Sequence, residues 1–355
     1  MNFKESLYII THWQTWHHHA KYIPLTPVWV WYCLRAGTPW FFTPSNPTLT
    51  FGGFEGEGKK EMYDQLPLGS YPATTYIDPE FSISQAEHQI AEAGFTYPFV
   101  VKPDVGMMGF MFRKIDNPAQ LALYHQNMPN LYIVQELIDY PIEVAAFYYR
   151  MPNEKKGTVS GMLIKSPAQV VGDGSKTIRE LILANNAVAV VTKKEQLLSR
   201  HKERLDKVLA IGEVFSLSLS TNRSQGGTLI GIDHEIDERL ESFFDSLSHH
   251  NGNFFYGRYD IKCKSIEDLK AGKNFSILEF NGAGAGTQHI YANPYSLFKA
   301  CSIIFTHWKM LARISRCNQK NGIKVWKFQE GWRFLKAAKK NLMILKKKDA
   351  EFPVF

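Results

Sequence analysis

Residues Phe254 to Ile261 and Phe275 to Phe280 are short apolar runs bounded by turn formers, a pattern that predicts two neighbouring β-strands. Each carries polar residues in its otherwise apolar stretch: G-R-Y-D at 257–260 and L-E-F-N at 278–281. Side chains alternate faces along a strand, so Arg258 and Asp260 share one face, and Glu279 and Asn281 share faces of one parity. Pairing the two strands brings an Asp, a Glu and an Asn to one spot with an Arg beside them. Oxygen-only ligands of this kind suit magnesium, which is commonly held by one or two carboxylates plus substrate phosphates. Taken alone the D…E-x-N pattern is weak, because acidic residues at strand ends are commonly only solvated.

A second strand signal lies upstream, in Y-P-F-V-V-K-P at 97–103. Phe99 to Val101 reads as a strand, Lys102 as its end, and Pro103 as a block to its continuation. D-V-G-M-M-G follows, then another strand-like run, Phe110 to Ile115. Gly106 and Gly109 let the backbone turn sharply and approach a ligand closely. A lysine beside such a loop can meet phosphate oxygens while backbone N–H groups cradle them. Neither G-x-x-x-x-G-K-[ST] nor G-x-G-x-x-G is present. On the loop alone, an ordinary glycine hairpin with a surface lysine is the favoured reading.

Helical patterning is expected over 193–209, with Glu203 and Lys207 at i, i+4 spacing on a solvated face. H-E-I-D-E-R-L-E at 234–241 reads similarly, with Leu240, Phe243 and Phe244 turned inward. Near the C-terminus, Trp326, Phe328, Trp332, Leu335, Leu342 and Leu345 recur at near-helical spacing opposite Lys336, Lys339, Lys340 and Lys346. Charge is concentrated there. Lys309 to Lys348 holds 13 basic residues against one acid, Glu330, so the remainder of this +7 chain is net acidic. Such a basic amphipathic helix, residues 324–348, either rests on an anionic membrane surface or docks its apolar face on residues 166–308. No nucleic-acid motif accompanies it, so no nucleic-acid partner is expected.

With 355 residues, 45% hydrophobic and 21% charged, the chain is long enough for two or three subdomains. Its four cysteines lack C-x-x-C spacing and no signal peptide is apparent, which points to a reducing, cytoplasmic setting, or a peripheral one on the inner face of the membrane. The apolar region Tyr22 to Phe42 is broken by Pro24, Pro27, Arg35, Gly37 and Pro39, so it is not expected to span a bilayer. Trp13, Trp16, Trp29, Trp31 and Trp40 are expected to pack rather than form a ligand cage. His12 with His17 to His19 has poor ligand spacing for a metal and reads as a solvated or locally capped run.

Taken in order, strand–Lys–Pro, glycine hairpin, acidic strand, G-R-x-D and L-E-x-N resemble the ATP-grasp superfamily over roughly residues 59–300. The resemblance is to its carboxylate–amine ligases, such as D-alanine–D-alanine ligase and the ATP-grasp part of cyanophycin synthetase. V-V-G-D-G-S-K-T-I-R-E-L-I at 170–182 and N-R-S-Q-G-G-T at 222–228 are similar to further segments of that group. The resemblance implies an α/β fold whose two α/β lobes clamp ATP. A short aromatic-rich subdomain would span 1–72, the first lobe 73–165, the second lobe with the metal site 166–308, and a basic segment 309–355.

It also implies roles. Lys102 matches the lysine that contacts the ATP phosphates, with Asp104 to Gly109 the loop that closes over them. Lys59 resembles an earlier phosphate-contacting lysine, with Lys60 one residue away as the substitute. Gln135, Glu136 and Ile138 match the hinge that meets adenine, although relatives often carry Glu-Lys there. Glu143 matches the ribose-binding carboxylate. Asp260, Glu279 and Asn281 match the ligands of two magnesium ions, which manganese could replace, with Glu279 bridging. Arg258 matches an arginine that steadies the reacting carboxyl or the tetrahedral intermediate, and Lys165 a basic residue above the γ-phosphate. The implied activity is ATP-dependent joining of a small-molecule carboxylate to an amine, with amino acids or peptides as substrates. The alternatives are a phosphotransferase that stops at phosphorylation, or a nucleotide-binding protein without turnover. Homo-oligomerisation is left open.

Overall fold

A computed structural model describes residues 12–16, 20–107, 109–184, 198, 201–217, 221 and 227–352. Eleven strands run through them: β1 Thr74–Ile77, β2 Phe99–Pro103, β3 Arg113–Ile115, β4 Tyr132–Gln135, β5 Ile142–Tyr149, β6 Thr158–Ser166, β7 Gln169–Val171, β8 Val214–Ser216, β9 Thr228–Gly231, β10 Tyr256–Cys263 and β11 Phe275–Asn281. Helices alternate with them, and every pairing described is antiparallel, so the class is mixed α/β. The chain divides into a larger unit, Val28–Gly161, His234–Gly286 and Thr306–Phe355, and a smaller one, Met1–Pro27, Met162–Asp233 and Thr287–Phe305.

The larger unit contains a four-stranded sheet in the order β1-β4-β2-β3. Its strands are short apolar runs whose inward side chains, among them Ile77, Phe99, Val101, Ile115, Tyr132 and Val134, form one buried cluster. Helix Ile83–Glu92 covers part of it and starts at a capping box in which Ser82 and Gln85 satisfy each other's backbone donors. Helix Pro118–Asn127 starts with Asn117 as its cap and Pro118 at its first position, where a missing N–H costs nothing. Pro103 does not end β2 early, as the sequence suggests. It is the strand's last residue, opposite Tyr132, a terminal position where proline is tolerated.

The run from Phe110 also differs from expectation. Only Arg113–Ile115 forms a strand, because Gly109 (φ 75°) and Met111 (φ 57°) both turn into the left-handed region. Asp349 explains how Met111 holds that conformation: its Oδ1 accepts the Met111 amide at 2.8 Å and pairs with Arg113 at 2.9 Å.

Asp349 belongs to the C-terminal helix, Phe328–Glu351, which docks rather than projecting. Leu345 and Phe352 are buried in the cluster of the four-stranded sheet. Trp326, Phe334 and Leu335 pack instead around Trp40, Phe42 and Phe51. The docked alternative therefore holds for much of the apolar stripe, and its platform is this sheet together with the cluster around Trp40, to which Phe255, Tyr256 and Ala283 of residues 166–308 belong. Phe328 and Trp332 of the same stripe stay exposed.

In the same unit β10 lies between β5 and β11. Helix Glu238–His250, capped by Asp237, buries Leu240, Phe243 and Phe244 as its pattern requires. The residues just before it, Asp233–Glu235, form a short 3-10 turn rather than the helix that 234–241 suggests.

In the smaller unit the later part of β6 pairs with β9, and β7 pairs with β8. The D-G-S-K-T-I-R-E stretch is a turn followed by a helix start. Asp173 Oδ1 accepts the amides of Ser175 and Lys176, while Thr177 and Glu180 cap helix Ile178–Ala184 reciprocally. Residues 201–206 are turns, not the helix expected over 193–209, because Leu205 and Leu209 tuck into a cluster with Ile178 and Ile182. The rest of that stretch, apart from Leu198 and residues 207–209, lies outside the described residues, as do His17 to His19 and 222–226.

Trp13 and Trp40 are buried and Trp29 packs in the cluster around Phe41 and Leu311, whereas Trp16 and Trp31 are exposed, contrary to expectation. All four cysteines are free thiols. Among the described residues no helix is long and apolar enough to cross a membrane.

Candidate active site

The register of β10 against β11 puts Asp260 directly opposite Glu279 and Arg258 directly opposite Asn281. Alternation does the rest. Arg258 and Asp260 meet on one face of β10 through two parallel bonds, Nε to Oδ1 and Nη2 to Oδ2, each 2.9 Å. Asn281 Nδ2 adds a bond of 3.3 Å to Asp260 Oδ2, and Arg258 Nη1 donates to the Gly286 carbonyl at 3.3 Å. Both Arg258 and Asp260 are buried. Burial disfavours the guanidinium charge, but the contact with Asp260 outweighs it, so the Arg258 pKa ends raised.

A glycine ladder locks another segment against the end of β11. Ala283 N donates to Gly52 O and Gly284 N to Gly53 O, each at 3.0 Å. A Cβ on Gly284 would lie 1.9 Å from the Phe54 carbonyl, so only glycine permits this approach. The G-E-G-K run is thereby fixed beside Glu279. Lys59 Nζ lies 3.7 Å from Glu279 Oε1 and donates to the carbonyls of Gly106 (3.0 Å) and Asp104 (3.4 Å). Lys60 instead pairs with Asp64 on the surface, which separates the two candidates.

Lys102 emerges from β2 toward the same place. Its Nζ donates to Tyr63 OH (3.2 Å) and Leu278 O (3.4 Å), and Tyr63 OH in turn donates to Leu278 O at 2.6 Å. Although it retains partial solvent exposure, Lys102 is packed on nearly all sides. Burial lowers its pKa to about 8, against the opposing pull of Glu279.

Gly53 to Lys59, Val105 to Met107, Glu279 to Asn281 and the C-terminal helix near Asn341 line one open cleft. Asn341 Nδ2 donates to Val105 O at 3.3 Å, so that helix braces the loop 104–107. Gly106 has no positive φ; its Cβ position faces Pro103 and Leu345. Met108 lies outside the described residues.

The hinge candidates occupy the C-terminal end of β4, an interior strand of the four-stranded sheet, and the stretch after it. Gln135 is buried and donates to Thr74 Oγ1 at 2.7 Å, Glu136 N donates to Ala73 O at 3.0 Å, and Ile138 O accepts Lys262 Nζ at 2.9 Å. Glu143 sits on β5 opposite Lys262. Lys165 is buried on β6 in the smaller unit, opposite Leu229.

Among the described residues no three His, Cys, Asp or Glu side chains are grouped as a metal centre. The donor chemistry is nevertheless of the kind magnesium takes, two carboxylates and an amide on paired strands, although here both Asp260 oxygens are engaged by Arg258 and Asn281 turns its amide nitrogen toward them. Asp260, Glu279 and Asn281 are the residues that would hold it.

Glu57 is the group the sequence reading missed. It lines the cleft, and its Oε2 is buried with no hydrogen-bond partner among the described residues. Burial, with help from Glu279 and Glu61, raises its pKa to about 7. The available signal was its place in F-E-G-E-G-K, two residues before Lys59. A folded-state pKa above the usual carboxylate value means the fold holds a proton that the unfolded chain releases. Glu57 therefore costs stability progressively as pH rises from 4.5 to about 7. Glu57→Gln is expected to stabilise the ligand-free protein at pH 8 by about 1–3 kcal/mol, discounted for partial exposure, with the gain gone below about pH 4.5. Thermal melts across that range check this, and a pH-independent difference rules it out.

No family model matches this chain, and no curated protein matches it. Several solved structures are partly similar. A bifunctional glutathione synthetase from Pasteurella multocida is 16% identical over 67% of this chain and 34% of its own, with TM-score 0.41. D-alanine–D-alanine ligase from Bacillus anthracis is 14% identical over 74% of this chain and 67% of its own, with TM-score 0.40. The ATP-grasp ligase PsnB is 14% identical over 71% and 59%, with TM-score 0.36. This chain thus spans about a third of the length of the glutathione synthetase. At these TM-scores the likeness is loose, and no chemistry follows from it.

Proposed function

We propose that this protein is an ATP- and magnesium-dependent ligase of the ATP-grasp type, joining a small carboxylate to an amine with release of ADP and phosphate. The observation that carries the reading is the opposed Asp260–Glu279 pair, with Arg258 tied to one acid and Lys59 beside the other. Lys102, from a separate sheet, approaches the same strand at Leu278.

A carboxylate is a poor electrophile at neutral pH, so activation must come first. Its oxygen attacks the γ-phosphorus of ATP, and the bond from that phosphorus to the ADP oxygen breaks, giving an acyl phosphate. The amine nitrogen then attacks the carbonyl carbon, loses a proton, and expels phosphate as the C–O bond breaks. Bound magnesium would neutralise phosphate charge and align its oxygens. Lys102 and Lys59 are assigned the phosphates, which require positioning and charge neutralisation more than covalent chemistry. Arg258, held rigid by Asp260, is assigned the oxyanion of the tetrahedral intermediate. Gln135, Glu136, Ile138 and Glu143 are assigned the nucleoside. No step calls for a protein nucleophile.

The test is a screen of amino acids and dipeptides for phosphate release from ATP. Release that requires both an acid and an amine supports the ligase. Release with an acid alone indicates a carboxylate kinase, and ATP binding without release in any combination indicates a protein that does not turn over. For the C-terminal helix, docking of Leu345 and Leu335 leaves its lysines, with the exposed Phe328 and Trp332, for any anionic surface.

A further inference from the structure

Helix Thr26–Ala36 is apolar around nearly its whole circumference, yet none of its residues is buried. A helix of that composition ordinarily sits inside a protein or against a bilayer. One face is accounted for: Trp29, Tyr32, Cys33 and Ala36 pack with Phe41, Leu311 and Ile314, and Trp29 meets Trp308 edge-on at 4.8 Å. The opposite face presents Val30, Trp31 and Leu34 at 46, 59 and 72% exposure, within the larger unit. A surface tryptophan and leucine one turn apart form an apolar ridge rather than scattered single residues.

Beside this ridge runs a groove lined by Trp31, Arg35, Lys309, Arg313 and Arg316, with no acid on its walls. The sign of the charge is built into both contributing segments. No Asp or Glu occurs from Ser6 to Phe54, nor from Phe280 to Gln329. Arg35, Lys309, Arg313 and Arg316 are all exposed. An apolar ridge flanked by cations alone is complementary to a surface that is anionic outside and apolar beneath. A folded protein partner supplies acids in patches; a bilayer of anionic lipid supplies both layers continuously.

We propose that the face made by Val30, Trp31, Leu34 and Arg35 together with Lys309, Arg313 and Arg316 docks on anionic phospholipid bilayers. Trp31 and Leu34 enter the headgroup region, where amphipathic aromatic rings are favoured, and the four cations meet lipid phosphates. This face is separate from the C-terminal helix 328–351, and the inference stands whether or not the chain is a ligase.

Co-sedimentation of the full chain with vesicles tests it, using phosphatidylcholine alone and phosphatidylcholine mixed with phosphatidylglycerol, at low and high salt. The wild type is expected to pellet with the anionic vesicles at low salt and to stay in solution with neutral ones. Arg313→Glu/Arg316→Glu should weaken binding at least about tenfold, since each basic residue near an anionic surface contributes measurably. Trp31→Ser/Leu34→Ser should weaken it similarly while leaving the melting temperature unchanged, both side chains being exposed. Lys346→Glu/Lys347→Glu, on the C-terminal helix, should have the smaller effect. The proposal is overturned by no binding of wild type to anionic vesicles, or by equal losses from the two charge reversals. It is equally overturned if Trp31→Ser/Leu34→Ser leaves vesicle binding intact and instead dissociates a dimer seen by analytical ultracentrifugation.

Discussion

Glu279→Gln should lower kcat/KM by about a thousandfold or more while the protein remains folded. The substitution keeps the size of the side chain and removes one charge where phosphate charge accumulates. Two features make the loss specific to function. Glu279 lies on the cleft-lining end of β11, where it is only partly buried, so the exchange opens no cavity. Its cation neighbour, Lys59, keeps its bonds to the Gly106 and Asp104 carbonyls in the variant. Asp260→Asn should also inactivate but with a stability cost. It leaves Arg258 buried without its counter-ion, and breaking a buried pair from one side costs several kcal/mol. A folded Glu279→Gln variant with near-normal turnover removes Glu279 from the proposed metal site.

Lys102→Ala should weaken ATP binding by about ten- to a hundredfold and slow turnover in parallel, since a charge-assisted contact contributes about 1.5–3 kcal/mol. Stability should move the other way. A lysine enclosed on most sides, whose pKa falls to about 8, pays for its charge at every pH below that value, so removing it relieves a cost in the ligand-free protein. The sign can be followed with pH. Between about 8 and 10.5 the unfolded chain binds the proton that the folded chain has released, so wild-type stability gains from this group as pH rises through that window. ATP affinity, by contrast, should fall as pH rises above about 8, when the ammonium that faces the phosphates is lost. Calorimetric titration of nucleotide at pH 7 and pH 9, with melts on the same samples, measures both. Wild-type affinity in Lys102→Ala shows that the lysine serves Tyr63 and the Leu278 carbonyl alone.

The strands that carry the site were legible because period-two alternation with polar interruptions leaves few registers. Arg258, Asp260, Glu279 and Asn281 fell on the expected faces, and the register pairs them two by two. What the sequence could not convey was long-range. The docking of Asp349 on Met111 and Arg113 couples residues more than 230 positions apart, and it shortens a strand that local propensity extends to Phe110. The same holds for Glu57, whose significance depends on a glycine ladder between 52–53 and 283–284 that no local pattern encodes. Trp31 illustrates the opposite error. Counting a tryptophan as core is sound for Trp29, two positions away, but a helix of 3.6 residues per turn sends the two to different sides.

The central claim is that a carboxylate is activated by ATP at this site. Once the screen supplies a substrate acid, its carboxyl group can be labelled with heavy oxygen and the products of one turnover analysed by mass spectrometry. The account predicts one labelled oxygen in the inorganic phosphate, with ADP as the nucleotide product. Label absent from phosphate, or AMP and pyrophosphate as products, contradicts it.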